Sequence, residues 1–506
     1  MSDVNYQKIK LNVFVNYVYF FIYAASNFIL NPLLVKYIGT HDFGIWKSSI
    51  RLFEFATFAD GRSSQALKWV IARNNSTNCD TDNVKNKAIG SSVFIWFSFL
   101  PFCISTVLIL TYFLPYFISG LGIDEFENIR MLGLFLGVNI LIIPLLEIPD
   151  AILVGTNNSY RSKSMQILWL LISNITTLYV VTRGYGLFEM ALVLITCALF
   201  NAISVFVVAK CSIDWLALSK PTKKEVKIFF SFSGGVMVWA IVEKLLLSSE
   251  LLLVVSLSGT DNVTKYIFTS FMAQFGLSVV LIIGSAVMPY LGTLMSQNKN
   301  IEASAVLSAY RDIILAIITI IGSGILIFNM SFVALWASPE FYIGSFFNLL
   351  VVLCFIQVSY IRSNAQIHDL SLKINRRVLH GVIFITSSLL LAIGAFIFSN
   401  QVLESILIGL LVGRLGLNIV LSKTVREMTK VKSAGVYKPL MSFIILTISY
   451  YLGETLFLST WLSLFFSGLL TVIVISAICF LLLLSNDTKN IIYRRLNIKS
   501  DLGELR

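Results

Sequence analysis

Lys47, Arg51 and Glu54 follow one another at intervals of four and three residues within GIWKSSIRLFEFATFADG, an otherwise largely apolar and aromatic stretch from Gly44 to Gly61. Those intervals place all three on one face of an α-helix, two cations beside one carboxylate. Such a face offers an ammonium and a forked guanidinium to an anion, phosphate above all. The alternative is a ladder of charges that neutralise one another at a helix interface. A second set lies in FSFSGGVMVWAIVEKLLLSSELLLVV, where Glu243 and Glu250 stand two helical turns apart and Lys244 adjoins the first. Carboxylates held in a membrane helix are candidates for binding a coupling proton or sodium ion, and Glu243 and Lys244 can also neutralise each other. Arg414, in LVGRLGLN, is a third candidate cation, with Gly413 and Gly416 as neighbours that leave it space. Its alternatives are snorkelling or pairing with a carboxylate in another span. In LIIPLLEIPDAILVG, Pro144 and Pro149 each remove a backbone donor, and Glu147 and Asp150 lie among the freed carbonyls, so a broken, polar helix is expected.

The elements that must hold these residues are set by composition. Of 506 residues, 57% are hydrophobic and 13% charged, where a soluble chain carries about 25% charged residues. The apolar residues come in blocks of about 20, the length that crosses a bilayer as a helix. The chain is therefore expected to be an all-α polytopic membrane protein. Spans are expected near 11–33, 43–61, 87–113, 130–154, 164–183, 186–210, 228–254, 264–290, 306–330, 342–362, 378–399, 402–422, 438–458 and 461–484, fourteen in all. The first block lacks a small-residue cleavage site and reads as a retained span.

Basic residues fix the orientation. Thirty of the 38 Lys and Arg fall on the N-terminal side of this alternation, and only Lys36, Arg130, Arg183 and Lys265 fall on the other. Lys47, Arg51, Lys244 and Arg414 lie within spans. This asymmetry predicts that both termini are cytoplasmic, and it survives only if the charged segment 43–61 crosses the membrane. The net charge of +11 is thereby explained by topology rather than by nucleic acid. The longest external loop, from about Phe113 to Ile129, carries Asp124, Glu125 and Glu127 and leaves no room for a folded domain. No appended catalytic domain fits on the cytoplasmic side either, so function must reside within or between the helices.

Enzyme chemistry finds no support. The chain has no Gly-x-Ser-x-Gly, no phosphate loop and no His-Glu-x-x-His, and Ser233–Gly235 lacks the following lysine and hydroxyl. Cys79, Cys103, Cys197, Cys211, Cys354 and Cys479 show no metal-ligand spacing and are not read as disulfides, and His41, His368 and His380 are scattered. No metal and no cofactor are expected beyond a coupling H+ or Na+.

Two turns resemble each other 220 residues apart: GTHDFGIW, from Gly39, and GTDNVTKY, from Gly259. Six spans separate them, so both lie on the expected external side and enter the next helix in the same direction. A parallel repeat of this kind is a recurring plan of secondary transporters, with the substrate path between the halves. The expected lobes are 1–215 and 216–432, with two further helices and a tail at 433–506. The same offset pairs Glu54 with Gln274.

The region NFILNPLLVKYIGTHDFGIWKSSIRLFEFATFADGRSSQALKWVIAR resembles the start of polysaccharide transporters of the multidrug/oligosaccharidyl-lipid/polysaccharide exporter superfamily. Gly39 to Gly44 matches that family's turn after the first helix, and Asp60-Gly61 the end of its polar second helix. SSELLLVVSLSGTDNVTKYIFTSFMAQFGLSVVLIIGSAVMPYL resembles its seventh and eighth helices, with Glu250 where members more often have Asp and with Pro289 as the closing proline. The resemblance implies a flippase in the bacterial cytoplasmic (inner) membrane. It would move an undecaprenyl-diphosphate-linked oligosaccharide repeat unit, of O-antigen or capsular type, to the outer leaflet by alternating access between two six-helix lobes. It implies a lipid-linked substrate, membrane lipids and the polymerase and chain-length proteins of polysaccharide biosynthesis as partners. In that setting Lys47, Arg51 and Arg414 are the expected substrate-binding cations and Glu54, Glu243 and Glu250 the coupling carboxylates. The alternatives are a cation-coupled multidrug exporter of the same superfamily, disfavoured by surplus basic charge, and a polymerase, disfavoured by the short external loops. A purely structural scaffold is disfavoured by so many charges within spans.

Overall fold

The computed structural model describes residues 3–74, 81–297, 299–370, 374–399, 401–429, 437–490 and 493. Cys79, Lys373, Lys430, Lys432, Arg494, Arg495, Lys499 and Arg506 lie outside the described residues. The described residues form α-helices and short 3-10 turns without strands, as an all-α membrane protein must, because hydrocarbon supplies no partner for an open backbone. Two compact units divide the chain, Met1–Thr264 and Lys265–Arg506.

The first unit contains α1 (Asp3–Ala56), α2 (Ser63–Asn74), α3 (Thr81–Phe117), α4 (Phe126–Gly155), α5 (Ser159–Thr182), α6 (Leu187–Ser212), α7 (Lys223–Ser258) and the start of α8 (Thr260–Ser296). Its core packs α4 against α6, α3 and α2, with Leu67, Ile71, Leu153, Val205 and Ala209 all buried. The second unit continues with α9 (Asn300–Trp336), α10 (Ser345–Asp369), α11 (Ile374–Phe398), α12 (Val402–Thr429), α13 (Tyr437–Thr455) and α14 (Trp461–Leu482). There α12 packs on α11 and α10, and α9 packs on α13 and α14.

Each expected span falls on a helix. Among the described residues eleven helices are long and apolar enough to cross a membrane, and apolar side chains line their exposed faces, as on α14, where Leu462, Phe465 and Phe466 are exposed. The helices α7 and α13 are not members of that set, and the charged half of α1 is counted within one span, Lys10–Ala56. The helix α2 occupies part of what the sequence presents as a loop.

The unit boundary differs from the expected lobes. The helix α7 belongs with the first unit because it packs against α3, α1 and α2, a set of contacts that hydropathy does not encode. A local capping box starts it: the Glu225 N–H donates to Thr222 Oγ1 at 3.4 Å and the Glu225 carboxylate accepts from the Thr222 N–H at 2.9 Å.

The first two expected spans form one helix interrupted at a single residue. Gly39 has φ 82° and ψ 169°, and everything around it is helical. Gly259 joins α7 to α8 in the same way, with φ 87° and ψ 163°. This backbone region is essentially open to glycine alone, so the repeated Gly-Thr is a repeated one-residue corner. Thr40 to Ala56 then rises about 25 Å as α-helix before a 3-10 turn at Thr57–Asp60 and a left-handed Gly61 end it.

Candidate functional site

In the first unit, the Thr40–Ala56 part of α1 carries Lys47, Arg51 and Glu54, and α7 brings its own charges to the same neighbourhood. Arg51 Nη1 donates to Glu54 Oε2 at 3.0 Å. Lys244 Nζ reaches the same oxygen from α7 at 3.6 Å. Glu54 is thus a carboxylate shared by two cations from two helices. All three side chains are about one-third exposed, at 31% for Arg51 and Lys244 and 34% for Glu54. That exposure keeps the bridge exchangeable, since ion pairs with solvent access hold only about 0–1 kcal/mol.

Lys47 is half-buried one turn before Arg51, with Nζ 5.4 Å from the centre of the Phe43 ring. The ring face favours the ammonium, and among the described residues no carboxylate lies within ion-pairing distance of it. Arg51 and Glu54 thus neutralise each other, and Lys47 stands outside that pair. Lys244, treated in the sequence only as a neighbour of Glu243, is the partner that spacing could not reveal. Glu243 and Glu250 are half-buried on α7, and both are engaged by other groups.

At the Gly39 end of the same unit, the two repeated turns are bonded to each other. Thr40 Oγ1 donates to Asp261 at 2.6 Å, and Thr260 Oγ1 and His41 Nδ1 are hydrogen-bonded at 2.8 Å. In the repeat, Thr40 corresponds to Thr260 and His41 to Asp261, so each threonine hydroxyl bonds the residue that follows its counterpart. Thr264 Oγ1 adds a bond to the Thr40 carbonyl at 2.8 Å. A Cβ on Gly44 would lie 2.4 Å from the Thr260 carbonyl oxygen, so a glycine is required at that approach. His41 Nε2 also meets Glu125 at 3.1 Å, in the segment between α3 and α4.

Two expectations are corrected. The helix α4 runs unbroken from Phe126 to Gly155 through Pro144 and Pro149. Its carboxylates bond donors rather than freed carbonyls, which are acceptors like themselves: Glu147 accepts from Ser64 at 2.7 Å, and Asp150 from Ser162 and from Gln166. Second, the glycines beside Arg414 do not make room for it. A Cβ on Gly413 would lie 2.2 Å from Ser388 Cα, and one on Gly416 2.1 Å from the Phe384 ring, so both serve the packing of α12 on α11. The spacing of Gly409 and Gly413, with three residues between them, carried that signal. Arg414 itself is fully buried inside the second unit and engaged there. No surface of it is available to a headgroup in this conformation.

No protein-family model matches the chain, and no curated protein sequence matches it. Solved structures do. The lipid II flippase MurJ in an inward closed conformation is similar with a TM-score of 0.62 and 16% identity, over 96% of this chain and 99% of that one. A Vibrio cholerae MATE transporter, VcmN, is similar with a TM-score of 0.59 and 14% identity, over 88% of this chain and 99% of that one. An inward-facing multidrug-resistance MATE family transporter of the MOP superfamily gives 0.55 and 11%, over 81% and 96%. The chain has the polytopic all-α fold of these transporters.

Proposed function

We propose that the protein is a MOP-superfamily flippase, not an enzyme, that carries a lipid-linked oligosaccharide repeat unit joined through diphosphate across the bacterial cytoplasmic membrane. The observation that carries this reading is the pairing of Arg51 and Lys244 with one exchangeable carboxylate, Glu54, with Lys47 on the same helix one turn before Arg51. An anionic headgroup leaves the membrane surface only if cations replace its water and counterions, and forked or ammonium donors satisfy phosphate oxygens well. A diphosphate can displace Glu54 as the partner of Arg51 and Lys244, with Lys47 adding a third donor.

The same geometry supplies a route to ion coupling. A proton or sodium ion on Glu54 removes its hold on Arg51 and Lys244 and so favours the anion; loss of that ion restores the carboxylate and favours release. Glu243 and Glu250, on α7, are further positions for the coupling ion. Whether the repeat unit belongs to O-antigen or capsule is set by the sugars. Two halves of the chain alternate in this reading, and a polymerase and chain-length proteins act on the product. A multidrug exporter is favoured by the MATE likeness, but the match to MurJ covers 96% of the chain against 88% for VcmN, and clustered cations repel cationic drugs.

The test is deletion in the host followed by measurement of where the lipid-linked unit accumulates. Build-up in the cytoplasmic leaflet supports the reading; exposed but unpolymerised units contradict it.

A further inference from the structure

Three segments of the first unit meet at the end that the basic-residue asymmetry assigns to the external side: the corner at Gly39, the corner at Gly259 and the segment between α3 and α4. The Ser119 N–H and hydroxyl donate to the Val255 carbonyl at 3.1 and 3.2 Å, which seats the α3–α4 segment on the end of α7. His41, just past the Gly39 corner, touches both of the other segments. Its Nδ1 is bonded to Thr260 Oγ1 at 2.8 Å and its Nε2 to Glu125 Oε1 at 3.1 Å. The chain leaves the first unit a few residues after Gly259, so whatever holds this corner holds that exit.

The charged groups brought to the ring are carboxylates. The Gly122 N–H donates to Glu125 Oε2 at 2.8 Å and so orients the other oxygen, Oε1, for His41. Asp42 adjoins His41 on α1, and Asp261, at the start of α8, accepts from Thr40 on its other side. Asp124 and Glu127 flank Glu125 in the α3–α4 segment and the first turn of α4. The basic groups of the same stretches lie against aromatic rings instead: Lys36 Nζ is 5.9 Å from the centre of the Tyr37 ring, and the Arg130 guanidinium 4.7 Å from that of Tyr112. His41 and Glu125 are 40% and 38% exposed, so protons from the solvent reach the pair.

A neutral imidazole has one N–H, so one ring nitrogen donates and the other accepts, and the Glu125 carboxylate and the Thr260 hydroxyl satisfy both. Protonation makes both nitrogens donors and puts a full positive charge among the carboxylates, so the ion pair with Glu125 exists only in that form. The proton is then held more strongly with the three segments together than with them apart, and by linkage its binding draws them together. We propose that His41 is a proton-operated latch on the external side: its protonation closes the Gly39 corner onto the Gly259 corner and the α3–α4 segment, and loss of the proton loosens them. The latch is strongest at the acid end of the range in which histidine side chains ordinarily change charge, about pH 5–8, and weakens as pH rises through it. At still lower pH, neutralisation of Glu125 removes the pair again.

The test uses the full chain, purified in detergent with the native cysteines replaced, and reads access to a thiol placed in the joint. Thr264 is wholly buried there, its hydroxyl bonded to the Thr40 carbonyl, so Thr264→Cys reacts with a water-soluble maleimide only when the corners part. Its rate is divided by that of Ile123→Cys, a highly exposed position of the α3–α4 segment, to remove the intrinsic effect of pH on the thiol. With His41 present the ratio should rise about two- to fivefold from about pH 5.5 to about pH 8, the range that a half-exposed ion pair supports. His41→Gln should give the high ratio at both pH values, and His41→Lys, a cation at both, the low one. Should His41→Gln fail to fold, Glu125→Gln, on an exposed segment, is the second variant, and it too should flatten the dependence. The proposal is overturned if the ratio is the same at both pH values with His41 present, or if His41→Gln or Glu125→Gln keeps the full dependence. The readout is the state of the joint, so its failure leaves the transport reading of Lys47 and Arg51 to stand or fall by itself.

Discussion

Replacing Gly44 with alanine sets two opposite effects against each other. In an exposed helix, Gly→Ala stabilises by about 0.5–1 kcal/mol through lost chain entropy. At Gly44 the new Cβ would sit 2.4 Å from the Thr260 carbonyl oxygen, about 1 Å inside ordinary contact, and against backbone that cannot rotate away. Separating the two turns by that distance stretches the bonds Thr40–Asp261 at 2.6 Å, His41–Thr260 at 2.8 Å and Thr264–Thr40 at 2.8 Å beyond useful length. Three neutral or singly charged bonds at about 0.5–1.5 kcal/mol each, taken near the low end because they are half-exposed, give about 2 kcal/mol. The joined turns then lose about 30-fold in population. The net change, about 1 kcal/mol, lowers the thermal midpoint by about 2–4 °C for a unit of this size. Two assays read it: the midpoint of the purified protein, and the cross-linking rate of a Thr40→Cys/Asp261→Cys pair with the native cysteines replaced, which Gly44→Ala should slow about tenfold, since that pair itself removes one of the three bonds. Gly394→Ala is the control, since nothing lies within 4 Å of its Cβ, and it should raise the midpoint. If Gly44→Ala raises the midpoint as Gly394→Ala does, with cross-linking unchanged, the reasoning about the repeated turn is wrong.

Other substitutions probe separate parts. In a double-mutant cycle, Glu54→Gln and Lys244→Gln should show a coupling of about 0.5–1 kcal/mol, modest because the pair is one-third exposed; additive midpoints would mean that no bridge forms. Gly413→Leu drives a side chain into Ser388 of α11 and should cost more than the usual 1–3 kcal/mol of overpacking, read as loss of monodisperse protein in size-exclusion chromatography. Asp312→Ala removes the acceptor of Lys438, Ser485 and Thr488 and should make the segment after α14 more sensitive to limited proteolysis than it is in the wild type.

Much of the architecture was legible because a bilayer imposes it. The apolar blocks from 87–113 to 461–484 each fall on a helix whose ends lie within about seven residues of the expected ones, since every backbone group in hydrocarbon must bond within its own segment. The match between GTHD and GTDN was legible as a repeat, and its meaning became plain only with matching backbone angles at Gly39 and Gly259. What stayed hidden was long-range. Nothing in local spacing says that Lys244 reaches Glu54 across 190 positions of chain. The glycines around Arg414 were read as space for that residue, although on a helix residues 413 and 416 point at a different neighbour from residue 414. The prolines of α4 point to a break, yet α4 is continuous through both. The charges of the Gly44–Gly61 segment were correctly placed on one face, but their balance depends on α7.

The central claim concerns the cations of α1. It is tested most directly by complementing the deletion strain with wild type or with Lys47→Ala/Arg51→Ala and measuring the leaflet distribution of the lipid-linked repeat unit, at matched membrane levels of folded protein. The account predicts outer-leaflet units with the wild type and cytoplasmic-leaflet accumulation with the double variant. Wild-type distribution in the double variant would contradict it.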